Sequence, residues 1–278
     1  MTTKTEITGA NIRPIIRWAG SKRQLVPELK KWVPANIRTY IEPFAGSACL
    51  FLSIRPSHAI LGDINAELML TYRQLRRNPT ALHSAVAAIE RTPRQYYRQR
   101  AKRPEDLTAF ERATRFIYLN RNCFNAVYRV NNRGEFNVPW GTRTGTIPKA
   151  EEFRAVALAL RKAELHTDDF EAVMARATTG DFVYLDPPYS TSAADEPGLF
   201  GANAFTRKDL QRLVQATHRL NDVGAMFLLS FEYDKKLLTE LSPSSWKIVS
   251  ARRHVAGFSG ARRKVKELLF TNLRDPGQ

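Results

Sequence analysis

Asp186-Pro187-Pro188-Tyr189 follow a short apolar run, residues 182–185, of the length and type of a buried strand. An acid, two prolines and an aromatic at a strand end make a cup for a planar group that carries an amine. Asp186 can accept one hydrogen bond from an exocyclic NH2. The Pro187 carbonyl can accept the other, because proline fixes φ and has no competing donor of its own. Tyr189 can stack on the ring. The amine of adenine is a weak nucleophile, since its lone pair is delocalised into the ring. Two acceptors that draw its protons out of plane would aim the lone pair at an incoming methyl group. That is positioning and charge stabilisation, and it calls for no metal. Taken alone, the four residues also fit a Pro-Pro turn with a capping Asp.

Two further clusters bear on this chemistry. Phe44-Ala45-Gly46 lies between a strand and a helix, where a glycine lets the backbone approach a ligand closely. Asp63 comes 17 residues after Gly46, at the end of the next strand, a position from which an acid grips ribose hydroxyls. The pair points to an adenosine-containing cofactor. Near the amino terminus Arg17-Trp18-Ala19-Gly20-Ser21-Lys22 combines a cation, an aromatic face and a glycine. A Trp there can pack a sulfonium or an adenine, or simply fill a core. No Gly-Lys-Ser/Thr phosphate loop appears, which argues against ATP hydrolysis. His58, His83, His166, His218 and His254 are scattered without ligand spacing, so no metal is expected.

The elements that must hold these residues alternate. Strands are expected at 40–41, 59–63, 164–167, 182–186, 225–231, 246–251 and 265–273, with helices over 65–77, 150–163 and 206–221. Between the two halves, residues 80–122 are helical and basic. Arg91, Arg94, Arg98, Arg100, Lys102 and Arg103 occur with no acid among them, either as phosphate contacts or as a solvated face. Residues 128–140 alternate and turn at Asn131-Asn132-Arg133-Gly134, a β-hairpin pattern. Strand–helix alternation on both sides of such a segment predicts an α/β fold. Its core is a doubly wound Rossmann-like sheet with an inserted, mostly helical lobe that carries the hairpin.

Composition narrows the partners. The 278 residues include 43 Lys and Arg against 27 Asp and Glu, a net charge of +16, so a polyanion such as nucleic acid is expected. Cys49 and Cys123 are the only cysteines. They suggest no disulfide framework and leave the reducing cytoplasm as the default. No apolar stretch is long enough to span a membrane, and the polar amino terminus does not resemble a signal peptide.

Together the motifs resemble the Dam-like, D12-class (alpha-group) DNA adenine-N6 methyltransferases. The resemblance rests on Trp18-Ala19-Gly20-Ser21-Lys22, Glu42-Pro43-Phe44-Ala45-Gly46 and Asp186-Pro187-Pro188-Tyr189. It also rests on a recognition segment containing Leu119-Asn120-Arg121, Phe124-Asn125, Tyr128-Arg129 and residues 133–139. It implies S-adenosylmethionine as methyl donor and a flipped adenine in double-stranded DNA as acceptor. It implies a catalytic domain over 1–66 and 150–278, and a target-recognition domain over 67–149. By that likeness Asp186, Pro187, Pro188 and Tyr189 are catalytic. The cofactor would meet Trp18, Ala19, Gly20, Lys22, Glu42, Pro43, Phe44, Gly46, Asp63, Ile64, Asp169, Phe170 and Asp186.

DNA would meet Arg17, Asn120, Phe124, Asn125, Arg129, Arg133, Asn137, Pro139, Arg252, Arg262, Arg263 and Lys264. Arg129 would read a guanine and Pro139 would pack on a thymine methyl, as for GATC or a GAT-containing site. Residues 190–205, with Gly198 and Gly201, read either as a mobile loop that closes over the flipped base or as a disordered connector of no catalytic consequence. A cytoplasmic monomer, bacterial or phage-encoded and acting at the nucleoid, is implied. The chain departs from the family at Ser21 and at Ala48, where many relatives carry glycine. Methylation of RNA, or a DNA-binding relative without catalysis, are the alternatives.

Overall fold

A computed structural model describes residues 12–131, 133–142, 144–188, 205–232, 245–252 and 264–273, with backbone alone at 232, 245–252 and 264–266. Tyr189, residues 190–204, Arg262, Arg263 and the arm before residue 12 lie outside the described residues.

Seven strands build one sheet: β1 (Tyr40–Glu42), β2 (Ala59–Gly62), β3 (Ala163–His166), β4 (Phe182–Leu185), β5 (Met226–Glu232), β6 (Ser245–Arg252) and β7 (Lys264–Thr271). Their order is β3-β2-β1-β4-β5-β7-β6. The first five run parallel, and β7 runs antiparallel between β5 and β6. The central strands read as unbroken apolar runs because both faces are covered. Alternation along each strand divides them between two cores. Tyr40, Phe182, Tyr184, Leu228 and Leu269 face one side, and Ile41, Val183, Leu185, Leu229 and Phe270 the other.

Nine α-helices surround the sheet: α1 (Val26–Leu29), α2 (Cys49–Ile54), α3 (Ala66–Arg77), α4 (Pro79–Ala87), α5 (Pro93–Arg100), α6 (Ala109–Asn122), α7 (Ala150–Leu160), α8 (Phe170–Met174) and α9 (Arg207–Asp222) among the described residues. Phe170, Val173 and Met174 of α8, with Leu213 and Leu220 of α9, cover the second face. The first face carries α2, α3 and α7, and its core continues through α4, α5 and α6 into the recognition segment. The long helices start where capping chemistry stands. Asn65 accepts from the Leu68 N–H, while Thr108–Glu111 and Thr206–Asp209 form capping boxes.

The expected hairpin is present and short, with the Asn131 N–H donating to the Glu135 carbonyl and the Asn137 N–H to the Arg129 carbonyl. It holds the bridge Val130↔Phe136 and a turn in which the Gly134 N–H donates to the Asn131 carbonyl. Its base is tied to the end of α6 by the bridge Cys123↔Trp140 and by Gly141 N–H to the Asn122 carbonyl. A side chain at Gly141 would stand 2.7 Å from the Cys123 carbonyl oxygen, so only glycine permits that approach.

Strands β1 and β4 are neighbours, yet the chain leaves them toward opposite edges of the sheet. Such a topological switch point opens a crevice at the carboxyl ends of the strands, and ligands of this architecture bind there.

Candidate active site and nucleic-acid surface

A cleft of about 510 Å³ lies at that switch point. Every residue that the family resemblance assigned to the cofactor lines it, together with Pro187 and Pro188. Glu42 ends β1 and Asp186 follows β4. Both stand in register with Tyr40 and Tyr184, and so on the same sheet face. Lys22 enters from the amino-terminal turn, is 4 % exposed, and pairs with Asp186.

The acids of the cleft are held in different ways. Glu42 is buried and accepts a hydrogen bond from the Tyr40 hydroxyl at 2.8 Å. Burial pushes its carboxyl up to about 8, partly opposed by the Tyr40 bond, and the nearby Asp186 and Asp63 charges add to the rise. Asp63 accepts from the backbone N–H groups of Gly46 at 3.0 Å and Asn65 at 2.9 Å. Burial raises it to about 6 against those two donors. A carboxylate has about four lone-pair directions, so Asp63 retains capacity for a ligand hydroxyl. Gly46 adopts φ +45°, and a Cβ there would fall 2.8 Å from Cδ1 of Trp18, so the turn requires glycine.

Aromatic rings form the rest of the wall. Phe44 stacks on Phe170 at 5.3 Å, and Phe205 meets both. Trp18 stacks on Tyr128 of the recognition segment at 6.2 Å. Ile64 is exposed at the mouth. Carboxylates beside aromatic faces and a hydroxyl acceptor at a strand end fit a ligand with a cationic centre, a planar base and a diol.

Several cleft residues carried no motif. Arg212 on α9 pairs with Asp169 at 2.7 Å, Asp209 at 2.9 Å and Glu171, and lies over the Phe170 ring at 4.8 Å. Its carboxylate partners raise its already high pKa. Val130 and Phe205 also line the cleft. Glu267 on β7 lies 3.2 Å from Lys22. Long-range pairing brings these residues in, and no local spacing announces them.

On the recognition side Phe124, Asn125, Arg129, Arg133 and Pro139 are exposed, and Phe124 is 45 % accessible despite its size. Asn125 and Ala126 both take positive φ, which turns Phe124 and Asn125 outward. Arg129 Nε donates to Asn137 Oδ1 at 2.9 Å. Asn120 stands elsewhere than a DNA contact would require. It is 2 % exposed, accepting from the Arg17 N–H at 2.9 Å and donating to the Arg17 carbonyl at 2.6 Å.

The basic helices are likewise partly structural. Arg91 binds Asn122, Thr144 and the Gly145 carbonyl, and Arg100 binds the Val138 carbonyl. Arg94 and Arg98 are exposed. Arg252 and Lys264 face each other at the β6–β7 end nearest Asp186, described by backbone alone. Among the described residues no cluster of three or more His, Cys, Asp or Glu could hold a metal, and no helix is long and apolar enough to cross a membrane.

Comparison with known proteins agrees with this geometry. The family model for the D12 class N6 adenine-specific DNA methyltransferase matches residues 18–255. The chain is 32 % identical to the type II methyltransferase M1.LlaDCHI of Lactococcus lactis subsp. cremoris, covering 94 % of this chain and 96 % of that one. It is 32 % identical to the DNA adenine methylase of Serratia marcescens over 92 % and 97 % of the two chains. With the DNA adenine methylase of Escherichia coli (strain K12) it shares 31 % identity over 95 % and 96 %. The chain belongs to the D12 class of N6 adenine-specific DNA methyltransferases and, as such, moves a methyl group onto adenine in DNA.

Proposed function

We propose that the methyl donor is S-adenosylmethionine and that the acceptor is N6 of an adenine flipped out of double-stranded DNA. The observation that carries this reading is the meeting of Asp186-Pro187-Pro188 with Glu42 and Asp63 in one aromatic-walled cleft at the switch point. S-adenosylmethionine supplies a methyl group on a sulfonium; N6 gains that carbon and releases one proton to solvent, and a thioether remains.

The chain's own residues do the rest. Asp186 and the Pro187 carbonyl accept from the two N6 protons, Lys22 orients Asp186, and Tyr189 stacks on the base. Asp63 takes the ribose hydroxyls, Phe44 and Phe170 pack the cofactor adenine, and Glu42 lies beside the methionine part. Flipping is required because N6 is otherwise engaged in the base pair.

We assign residues 67–149 to target recognition, on the strength of the exposed Phe124-Asn125 turn beside Arg129 and Pro139. Phe124 and Asn125 act where the base leaves the stack. Arg129 reads a guanine, steadied by Asn137, in GATC or a GAT-containing site. Arg17, Arg133, Arg252, Arg262, Arg263 and Lys264 contact the backbone or an outer base, and Asn120 positions Arg17 from beneath. The protein works as a monomer in the cytoplasm, where its DNA is.

The test is sequencing of DNA from a methylation-free host expressing the chain, read for N6-methyladenine by position. Complete modification of GATC supports the Arg129 assignment, and another motif removes it while keeping the chemistry. Asp186→Ala is expected to lower methylation by roughly a thousandfold or more, with DNA affinity within a few-fold. Methylation that survives this substitution would refute the pocket assignment.

A further inference from the structure

Glu267 lies beneath the candidate catalytic pair. It is 1 % exposed, and by strand alternation it shares a sheet face with Ser230, Glu42 and Asp186. Its Oε1 accepts from Ser230 Oγ at 2.8 Å and lies 3.2 Å from Lys22 Nζ. Lys22 reaches Asp186 on the other side. One nearly buried ammonium thus stands between two carboxylates, one from the end of β4 and one from the antiparallel strand inserted beyond β5.

The charge sum decides what this arrangement does. Lys22 with Asp186 alone is neutral. A neutral pair is poorly suited to a reaction that begins with a cationic donor and builds positive charge on N6 before its proton leaves. A second carboxylate leaves the group with one net negative charge. In a site shielded from water that difference is felt far more strongly than at the surface.

We infer that Glu267 is a positioning residue that compensates the charge of Lys22. It holds the ammonium against Asp186 while offsetting its charge, so Asp186 keeps its orientation and the cleft keeps a net negative potential toward a cationic ligand. The inference rests on the assignment of Asp186 to the target amine. It also gives β7 a chemical purpose, because only a strand lying beside β5 places an acid under Lys22.

The experiment is Glu267→Gln in the full chain. Gln keeps the shape and still accepts from Ser230 and Lys22, so only the charge is lost. Turnover is expected to fall roughly 10- to 100-fold, with KM for DNA within about threefold. A second readout needs no turnover: calorimetric affinity for S-adenosylmethionine relative to S-adenosylhomocysteine. Loss of the negative charge should shift that ratio against the sulfonium by about tenfold.

In a Lys22→Met background the buried Glu267 loses its counter-charge and takes up a proton, so Glu267→Gln should change the ligand ratio little. Wild-type turnover and ligand ratio in Glu267→Gln, or an equal shift with and without Lys22, would overturn the inference. Should Glu267→Gln not fold, Ser230→Ala loosens the same carboxylate and should move turnover and ligand ratio in the same direction by about threefold; no movement overturns the inference. An inactive Asp186→Ala beside an unaffected Glu267→Gln removes this inference alone, whereas an active Asp186→Ala removes the site reading beneath it.

Discussion

Lys22 and Arg115 are both cations sealed from water, at 4 % and 7 % exposure, and they meet different partners. Lys22 in the cleft ends between two carboxylates. Arg115 in the recognition lobe donates to two backbone carbonyls, those of Gln99 and Arg100, each at 2.9 Å. Burial pulls the Arg115 pKa down, whereas in the cleft burial pushes the carboxyls of Glu42 and Asp63 up. The cleft sets more than one carboxylate around each of these cations, Lys22 and Arg212, as suits a small cationic ligand. The lobe holds Arg100 and Arg115 with uncharged backbone carbonyls, although Arg112 pairs with Glu67, and so uses few acids on its arginines, as suits a polyanion. A count of arginines therefore does not identify DNA contacts, because some of them hold loops together.

The comparison is broken most directly within the lobe. Arg129→Ala is expected to relax discrimination at one base position by about 1–3 kcal/mol, roughly 10- to 100-fold. Its stability should change by less than about 0.5 kcal/mol, since the side chain is exposed. Arg115→Ala should behave oppositely. It strands two backbone carbonyls and removes buried packing, at a cost of about 2–4 kcal/mol, with the base preference of the folded fraction intact. Chemical denaturation beside methylation of a set of single-base variant duplexes separates the two. A buried Arg115 that altered specificity, or an Arg129 that altered only stability, would undo the division of labour.

Much of the cleft was legible because its residues sit at strand ends in short contiguous motifs. Phe182-Val183-Tyr184-Leu185 reads as a strand, and the acid after it must then lie at the sheet's carboxyl edge. Glu42 and Asp63 follow by the same logic. Glu267 was not legible, since residues 265–273 read as a strand but nothing local says it pairs antiparallel beside β5. The roles of Arg91, Arg100 and Arg115 were hidden for a related reason: their carbonyl partners come from other segments, as with Val138 for Arg100. The hairpin over 128–140 is present and short: around the bridge Val130↔Phe136 the Asn131 N–H donates to the Glu135 carbonyl and the Asn137 N–H to the Arg129 carbonyl, and ties to α6 anchor its base. Asn120 looked like a polar readout residue, and its burial against Arg17 depends on where the amino-terminal segment lies.

A smaller effect sharpens the contrast through pH. With Glu42 near 8 when folded and about 4.5 when unfolded, the native protein binds more protons than the unfolded chain between those values. The contribution of Glu42 to the stability of the ligand-free protein should therefore be most favourable below about pH 4.5 and decline as pH rises toward 8, by at most about 1.4 kcal/mol per pH unit. Asp63, raised to about 6, acts in the same sense over a narrower window. In the lobe Glu111 is lowered by its bonds to Thr108 and acts in the opposite sense, at an exposed position. Glu42→Gln should flatten the fall between pH 5 and 8 in urea titrations of the ligand-free protein. An unchanged slope would place the raised acid elsewhere.

The smallest expected effect comes from backbone strain, which both regions carry. Ala48 at the start of α2 holds φ 51°, and Ala126 in the recognition turn holds φ 57°, both buried and neither a glycine. The left-handed region costs an alanine about 1–2 kcal/mol. Loss of the buried methyl on going to glycine costs about 0.8 kcal/mol, so Ala48→Gly and Ala126→Gly should each stabilise by up to about 1 kcal/mol. Gly46→Ala, two residues before Ala48, should destabilise, because its Cβ would drive into Trp18. The functional consequences should differ by region. Ala48 stands behind the Gly46–Asp63 contact, which pins the turn with or without the strain, so methylation by Ala48→Gly should match the parent. Ala126 directs the exposed Phe124-Asn125 pair, and there glycine widens the choice of conformations. A stabilised Ala126→Gly protein with reduced methylation, beside a stabilised and fully active Ala48→Gly protein, would show that the lobe uses its strain to present residues to DNA. Equal activity in both would show that the strain is only a residue of sequence history.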